Sequence, residues 1–356
     1  MDSPAIMAAG RNRGRGDGQA TIRLLFLTAL FEVMSDSDRV VDTLLRDHGF
    51  ARAQAATPYE RAPLHRYVAL LEAASERLKR PFLGLEMAAE FGLAELGPFA
   101  SLFRAAGTLR AALGSFSRFQ SRWQTRTLLD MVVDEETTTY SYRIEDPDIW
   151  PRRQDAEFSI GGIATLACQL TSPKWAPAEV HFEHSIAGRK DRLTQFFRAP
   201  VLGNQVANAL VIRNADLDRP YPIAPTAEDV KLRSILETHL LDLLGPDATA
   251  ERGFVQQAED LIMRRLGRMH VDCASIAAEF KLSERSFRRR LTEEGTSFRT
   301  LLQTARQARA RAILEATDLP LSIAAEQLGY SDTATFSRAF KDWTGMSPGQ
   351  FAKRAP

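Results

Sequence analysis

Hydrophobic positions in the first third of the chain recur at intervals of three and four residues. Between Arg23 and about Gln124, Leu64, Tyr67, Val68, Leu71 and Leu78 mark one apolar helical face. Gly92, Gly97, Pro98 and Gly107 cut the later part of this stretch into shorter helices. The period then changes. Thr127–Val133 and Thr137–Ile144 read as two strands joined by the acidic turn Asp134, Glu135, Glu136. A helix over Arg153–Leu170 follows, then a strand at Glu179–Phe182, a helix near Asp191–Phe197 and an apolar strand at Ala209–Arg213. Helices followed by a mixed sheet predict an α+β domain over residues 21–225. Residues 1–20 ahead of it are small, rich in Gly and Arg and without periodicity, which predicts a disordered tail. Gly14, Gly16 and Gly18 have no strand before them, so they do not make a phosphate-binding loop.

Pro220, Pro222 and Pro225 mark an exit from this domain. A helix over about Glu228–Leu244 comes next, ended by Gly245-Pro246, within a linker of residues 226–253. Its Leu232, Leu236, Leu240, Leu243 and Leu244 form a stripe that fits either packing on its own domain or the interface of a homodimer. From Phe254 to Pro356 the whole pattern is helical, so the α+β domain is followed by an all-α C-terminal domain.

That second domain contains a repeat. Ser275-Ile276-Ala277-Ala278-Glu279 returns as Ser322-Ile323-Ala324-Ala325-Glu326. Beyond those five residues, Leu282-Ser283 is answered by Tyr330-Ser331, Phe287 by Phe336, Arg289 by Arg338, Leu291 by Phe340 and Gly295 by Gly345. Each copy reads as one supersecondary unit: a short helix, a tight turn and a second helix. In the first, Ile276, Ala277 and Phe280 bury the supporting helix, and Ser283 stands at the N-cap of the next. Phe287 and Leu291, four apart, face the core, which leaves Arg285, Arg288, Arg289 and Thr292 outward. In the second, Gly329 closes the turn and Phe336 and Phe340 are buried. Thr333, Thr335, Arg338 and Lys341 are then offered outward.

A major groove admits one α-helix, and arginine can bond guanine O6 and N7 bidentately. Serine, threonine and lysine hold the flanking phosphates. Between the two units, Phe298–Thr317 reads as one helix of roughly 28 Å at 1.5 Å per residue. Such a spacer suits two recognition helices in successive groove turns, about 34 Å apart. The candidate DNA-binding residues are Ser283, Arg285, Arg288, Arg289, Thr333, Ala334, Thr335, Arg338 and Lys341, and the partner is double-stranded promoter DNA. A helical bundle with a solvated arginine face explains one such unit but not two matching ones.

Charge adds a little to this picture. The 356 residues carry a net charge of +1, spread unevenly. Residues 251–356 hold 17 Lys and Arg against 13 Asp and Glu, a net +4, on a body of 29 against 32, a net −3. A mildly basic domain on a mildly acidic body is compatible with a polyanionic partner and does not require one. Two cysteines, Cys168 and Cys273, make no disulfide framework and suit a reducing cytoplasm. The apolar run Leu24–Phe31 is too short to span a bilayer, so no membrane partner is expected.

The second unit resembles the AraC/XylS family of bacterial transcription regulators. The resemblance rests on Ala324-Ala325-Glu326-Gln327-Leu328-Gly329-Tyr330-Ser331, on Phe336-Ser337-Arg338-Ala339-Phe340-Lys341 and on Gly345-Met346-Ser347-Pro348, with Arg306, Ala310 and Leu314 in the spacer. It covers about residues 254–356. The resemblance implies base contacts from Arg285, Arg288 and Arg289, and from the Thr333–Arg338 stretch in the second unit. Ala334 and Thr335 give no bidentate bond, so that helix is expected to read thymine methyls or to grip the backbone. The body resembles the N-terminal effector domain of the ornithine- and amine-responsive AraC subgroup. The matching stretches are Pro81–Leu85, Gly97–Phe99, Trp175–Val180 and Phe196–Val201. It implies a small-molecule effector, a homodimer and contact with RNA polymerase, and no cofactor. An effector pocket is expected between the helical half and the sheet, near Phe99, Phe103, Phe116, Trp123, Tyr142 and Trp150, with Arg104, Arg122 or Glu157 as polar groups.

Two other classes remain. An enzyme with an appended DNA-binding domain lacks support, since no nucleophile elbow or Walker loop occurs. A DNA-repair alkyltransferase needs more cysteines than two. His181 and His184, three apart on a strand, point to opposite faces and make no metal pair. A ligand-independent architectural DNA binder would not need so large a body.

Overall fold

The computed structural model describes residues 19–34, 38–146, 148–244, 253–266, 271–316 and 320–352. Residues 1–18 of the tail expected at 1–20, and residues 245–252 of the linker, lie outside them. Ala20 belongs to the fold: it is buried, and its carbonyl accepts from the Leu64 N–H at 2.8 Å.

The chain enters as a short strand, β1 (Thr21–Arg23), antiparallel to β2 (Arg61–Pro63). This corrects the helix expected from Arg23. Helices α1 (Leu25–Val33), α2 (Asp38–Asp47), α3 (Leu64–Arg77), α4 (Leu83–Glu90), α5 (Pro98–Arg104) and α6 (Leu109–Trp123) build the helical half. The sheet half has β3 (Thr127–Val133), β4 (Thr137–Ile144), β5 (Glu179–His181), β6 (Val201–Leu202) and β7 (Asn208–Arg213) in the order β3-β4-β7-β5-β6. All neighbours are antiparallel except β5 with β6, a pair that periodicity did not reveal. The helices α7 (Arg153–Leu170), α8 (Lys190–Phe197) and α9 (Asn214–Leu217) complete the α+β domain.

Helix α7 is the central post, buried on nearly every side. Helix α4 approaches it so closely because each of the two helices places a glycine at the contact. A Cβ on Gly84 of α4 would lie 2.2 Å from the Gln154 carbonyl, and one on Gly161 would lie 2.7 Å from the Ala88 methyl. Two buried ion pairs brace its N-terminal end. The Arg152 guanidinium donates to both carboxylate oxygens of Glu183, at 2.7 and 3.0 Å, and Asn208 donates to the same group at 3.1 Å. Arg189 grips Glu157 with two nitrogens, and His184 lies 3.2 Å from that carboxylate. Such pairs cost desolvation, so each needs this density of bonds to persist in the interior.

Helix α10 (Ala227–Leu244) follows. Its Leu236 packs on the first core, while Leu232 and Ile235 are exposed. The C-terminal helices are α11 (Phe254–Arg265), α12 (Cys273–Glu279), α13 (Glu284–Glu293), α14 (Phe298–Ala316), α15 (Leu321–Gln327), α16 (Thr333–Thr344) and α17 (Pro348–Ala352). They enclose a hydrophobic core that shares no residue with that of the body. Two buried arginines join the two: Arg143 of β4 donates to the Met263 carbonyl, and Arg309 of α14 donates to the Val206 carbonyl.

Candidate nucleic-acid interface and ligand cavity

The two repeat units fold alike down to single hydrogen bonds. In the first, α12 ends with the Leu282 N–H on the Ala277 carbonyl at 3.1 Å; in the second, α15 ends with the Tyr330 N–H on the Ala325 carbonyl at 3.0 Å. That closure needs one residue in the left-handed region. Gly329 supplies it at φ +70°, and Lys281 takes the same place at φ +54°. The recognition helices then start on side-chain caps, which satisfy N–H groups that the first turn leaves free. Ser283 accepts from the Ser286 N–H at 3.2 Å, as the sequence suggested. Asp332 accepts from the Thr335 N–H at 2.7 Å, a cap that sequence reasoning passed over.

Phe287, Leu291, Phe336 and Phe340 are fully buried, which fixes the outward face of both α13 and α16. On α13, Arg285, Arg288, Arg289 and Thr292 are exposed. Arg288 lies 2.6 Å from Glu284 and Arg289 3.5 Å from Glu293, both surface pairs one helical turn apart. Such pairs hold weakly and yield to a phosphate or a base edge. Arg290, outside the expected set, instead covers the Phe254 ring at 4.2 Å. On α16, Ala334, Arg338 and Lys341 are exposed, whereas Thr333 and Thr335 are half-buried. The Thr335 hydroxyl donates to Asp332 at 2.8 Å, so it serves the cap and leaves mainly its methyl group outward. The Ser283 hydroxyl is likewise engaged, by the Ser286 hydroxyl at 2.9 Å. Between the units, Arg306 of α14 donates to the carbonyls of Leu328 and Gly329 at 3.0 and 3.1 Å and covers the Tyr330 ring. The spacer is thereby fastened to the second turn.

The body holds a cavity where the helical half meets the sheet, with about 600 Å³ of atom-free space, part of it open solvent. Phe26, Phe91, Phe116, Trp123 and Phe158 form most of its apolar wall, with α7 as the floor. Phe116, Trp123 and Tyr142 were among the aromatics expected here. Phe99 and Phe103 are instead core residues, and Trp150 stacks on Arg152 away from the cavity. None of Arg104, Arg122 and Glu157 lines it; the polar groups are Tyr67, Gln120, Gln124, Tyr142, Asp155 and Ser159. Three of these form a chain. Gln124 donates to the Tyr142 hydroxyl at 2.9 Å, and that hydroxyl donates to Asp155 at 2.6 Å. Burial pushes the Asp155 carboxyl up to about 7, although the Tyr142 bond and the Arg152 charge pull the other way. Burial would raise Glu183 too, but Arg152, Arg309 and Asn208 bring it down to about 2.

His181 pairs with Glu179 at 2.8 Å, and His184 lies beyond the end of β5, which stops at His181. Among the described residues no cluster of His, Cys, Asp and Glu could hold a metal ion, and Cys168 and Cys273 are both free thiols. No described helix is long and apolar enough to cross a membrane.

Residues 40–221, over half of the chain, match the family model described as the arabinose-binding domain of AraC transcription regulators, N-terminal. The chain belongs to the AraC family of transcription regulators. Residues 276–354 of the regulator match a helix-turn-helix domain, which spans both recognition helices. It is similar to the HTH-type transcriptional regulator VirS of Mycobacterium tuberculosis, 27% identical over 289 residues, 80% of this chain and 82% of that protein. It is also similar to the ornithine utilization regulator of Pseudomonas aeruginosa, 28% identical over 201 residues, 56% of this chain and 57% of that one. The regulator is therefore a DNA-binding protein under effector control: an α+β effector domain carries a helical domain with two helix-turn-helix units.

Proposed function

We propose that this regulator binds promoter DNA in the cytoplasm as a homodimer and acts on RNA polymerase when an effector occupies the cavity. Residues 21–225 form the effector domain, 226–253 the linker and 254–356 the DNA-binding domain. The observation that carries the reading is the paired turn-and-cap geometry, which presents α13 and α16 from equivalent scaffolds. Arg285, Arg288 and Arg289 read base edges. Ala334 and the Thr335 methyl group meet thymine methyls. Arg338, Lys341 and Thr333 hold phosphates and register, while Ser283, its hydroxyl engaged by Ser286, acts by fixing the start of α13. The exposed Leu232 and Ile235 of α10 support a dimer contact there. The relatives are named as regulators, which supports a regulator over an enzyme.

The test uses a fragment from Gly253 to Pro356. It should fold by circular dichroism, since its core is separate from that of the body, and should bind the regulator's own upstream DNA without effector. A folded fragment with no affinity at low salt would sink the proposal.

A further inference from the structure

The cavity has a chemical bias that its family description does not convey. It is lined by sixteen residues, and Asp155 is the one carboxylic acid among them; no Lys, Arg or His lines it. Most donors of its polar wall are engaged within the protein, the Tyr67 hydroxyl with the Phe26 carbonyl at 3.4 Å. The Gln124 amide donates to Tyr142 and Thr127, the Gln120 amide donates to the Gln124 carbonyl, and the Tyr142 hydroxyl donates to Asp155. What remains on that side is mainly a set of acceptors, the carboxylate foremost. The other wall is aromatic, and one donor lies in it: the Trp123 indole N–H is buried without an acceptor.

A ligand carboxylate would enter a low-dielectric space with no cation to meet it and with another carboxylate beside it, which disfavours both charges. A sugar would bury several hydroxyls against a mostly hydrocarbon wall, and each one left unpaired carries a desolvation penalty. An ammonium or hydroxyl group on a hydrocarbon or aromatic body meets neither penalty. Its donors reach Asp155, and an ammonium group also gains from the surrounding ring faces. The elevated carboxyl of Asp155 fits the same picture, because a bound cation would draw it back toward the ionised form.

We propose that this cavity takes a compact, mainly apolar ligand whose single polar end is a hydrogen-bond donor, an amine foremost, directed at Asp155, and that it rejects carboxylates and sugars. The inference rests on the reading of the body as an effector domain.

The full-length regulator should be titrated with benzylamine, benzyl alcohol, benzoate and L-arabinose, following thermal shift and tryptophan fluorescence, with promoter-DNA affinity measured in parallel. Benzylamine should bind at least about tenfold more tightly than benzoate, with benzyl alcohol between them and arabinose without effect. Asp155→Asn should erase the preference of benzylamine over benzoate while leaving benzyl alcohol within about twofold. The wild-type ranking decides on its own if that variant does not fold. Benzoate or arabinose binding as tightly as benzylamine overturns the ligand class, and so does a protein that binds none of the four. If benzoate or arabinose binds and moves promoter affinity, the ligand class fails while effector control stands. If the expected ranking appears and promoter affinity never moves, the ligand class stands and control through this cavity fails.

Discussion

Replacing Lys281 by glycine tests whether the two turns are physically equivalent. Lys281 holds φ at +54°, where the Cβ of an ordinary residue crowds the neighbouring carbonyl at a cost of roughly 1–2 kcal/mol. Its counterpart Gly329 has no Cβ to crowd. Against this relief stands the larger freedom of glycine in the unfolded chain, about 0.5–1 kcal/mol. The net expectation for Lys281→Gly is a gain of about 0.5–1 kcal/mol. No buried contact is lost, because Lys281 is exposed, and the closing bond from the Leu282 N–H to the Ala277 carbonyl is already in place. For a domain of about a hundred residues that gain raises Tm by roughly 2–8 °C. The reciprocal change should be worse than the mirror of this. Gly329→Lys incurs the same strain, and its new Cβ would stand 3.4 Å from the Arg306 Nη2 that bonds the Gly329 carbonyl. A loss of about 1–3 kcal/mol is expected. Urea unfolding followed by circular dichroism, on the fragment and on the full chain, reads both. If Lys281→Gly lowers stability, or Gly329→Lys is silent, the turns do not carry the same strain and the equivalence is wrong.

Other outcomes follow from the same geometry. Arg285→Ala and Arg289→Ala should each cost about 1–3 kcal/mol on the specific site and relax preference at one base position, whereas Lys341→Ala should weaken all sequences alike and shallow the salt slope. Gel shifts on specific and random DNA over a salt series separate the two, and equal loss on both DNAs for the arginines would reassign them to the backbone. Asp155 is raised in the folded state, so the native carboxyl holds its proton longer than the unfolded one and the fold loses stability as pH rises from about 4 through about 7. Asp155→Asn should therefore stabilise at pH 8 by roughly 1–3 kcal/mol and much less at pH 5; a pH-independent effect in denaturant melts would exclude this titration. Glu183 is lowered, so its contribution is present above its unfolded value and is lost as pH falls toward about 2. Glu183→Gln leaves Arg152 buried without its counter-charge and should cost about 3–5 kcal/mol in urea melts at neutral pH, and a near-neutral variant would show that Arg152 is held by other partners.

Much of this protein is written in local pattern. Helix α7 and the hairpin β3–β4 occupy the residues that periodicity indicated, because each is long and bounded by turn or proline residues. The repeat located the Ser283 cap, the turn glycine and the outward arginines, since spacing along a helix fixes its faces, but not the Asp332 cap. What failed depends on distant partners. Thr21–Arg23 is a strand only because Arg61–Pro63 lies beside it, and β6 exists through two residues paired with β5. The cavity was placed between the correct halves with the wrong polar groups. Asp155 stands in the first turn of α7, where an acid is ordinary at a helix N-terminus, so nothing local marks it as a buried wall. Glu157, two residues on, looked as suitable and instead turns into the bidentate grip of Arg189.

Helix α14 has a second role beyond setting a distance. The same rod that separates the two reading helices is docked through Arg309, near its middle, onto the loop before β7, beside the Glu183–Arg152 pair. A shift in the body is therefore expected to reach DNA as a turn of the whole axle, with both heads moving in step. Footprinting with and without an effector should then show one subunit protecting a stretch of unchanged length, its strength altered but its span kept.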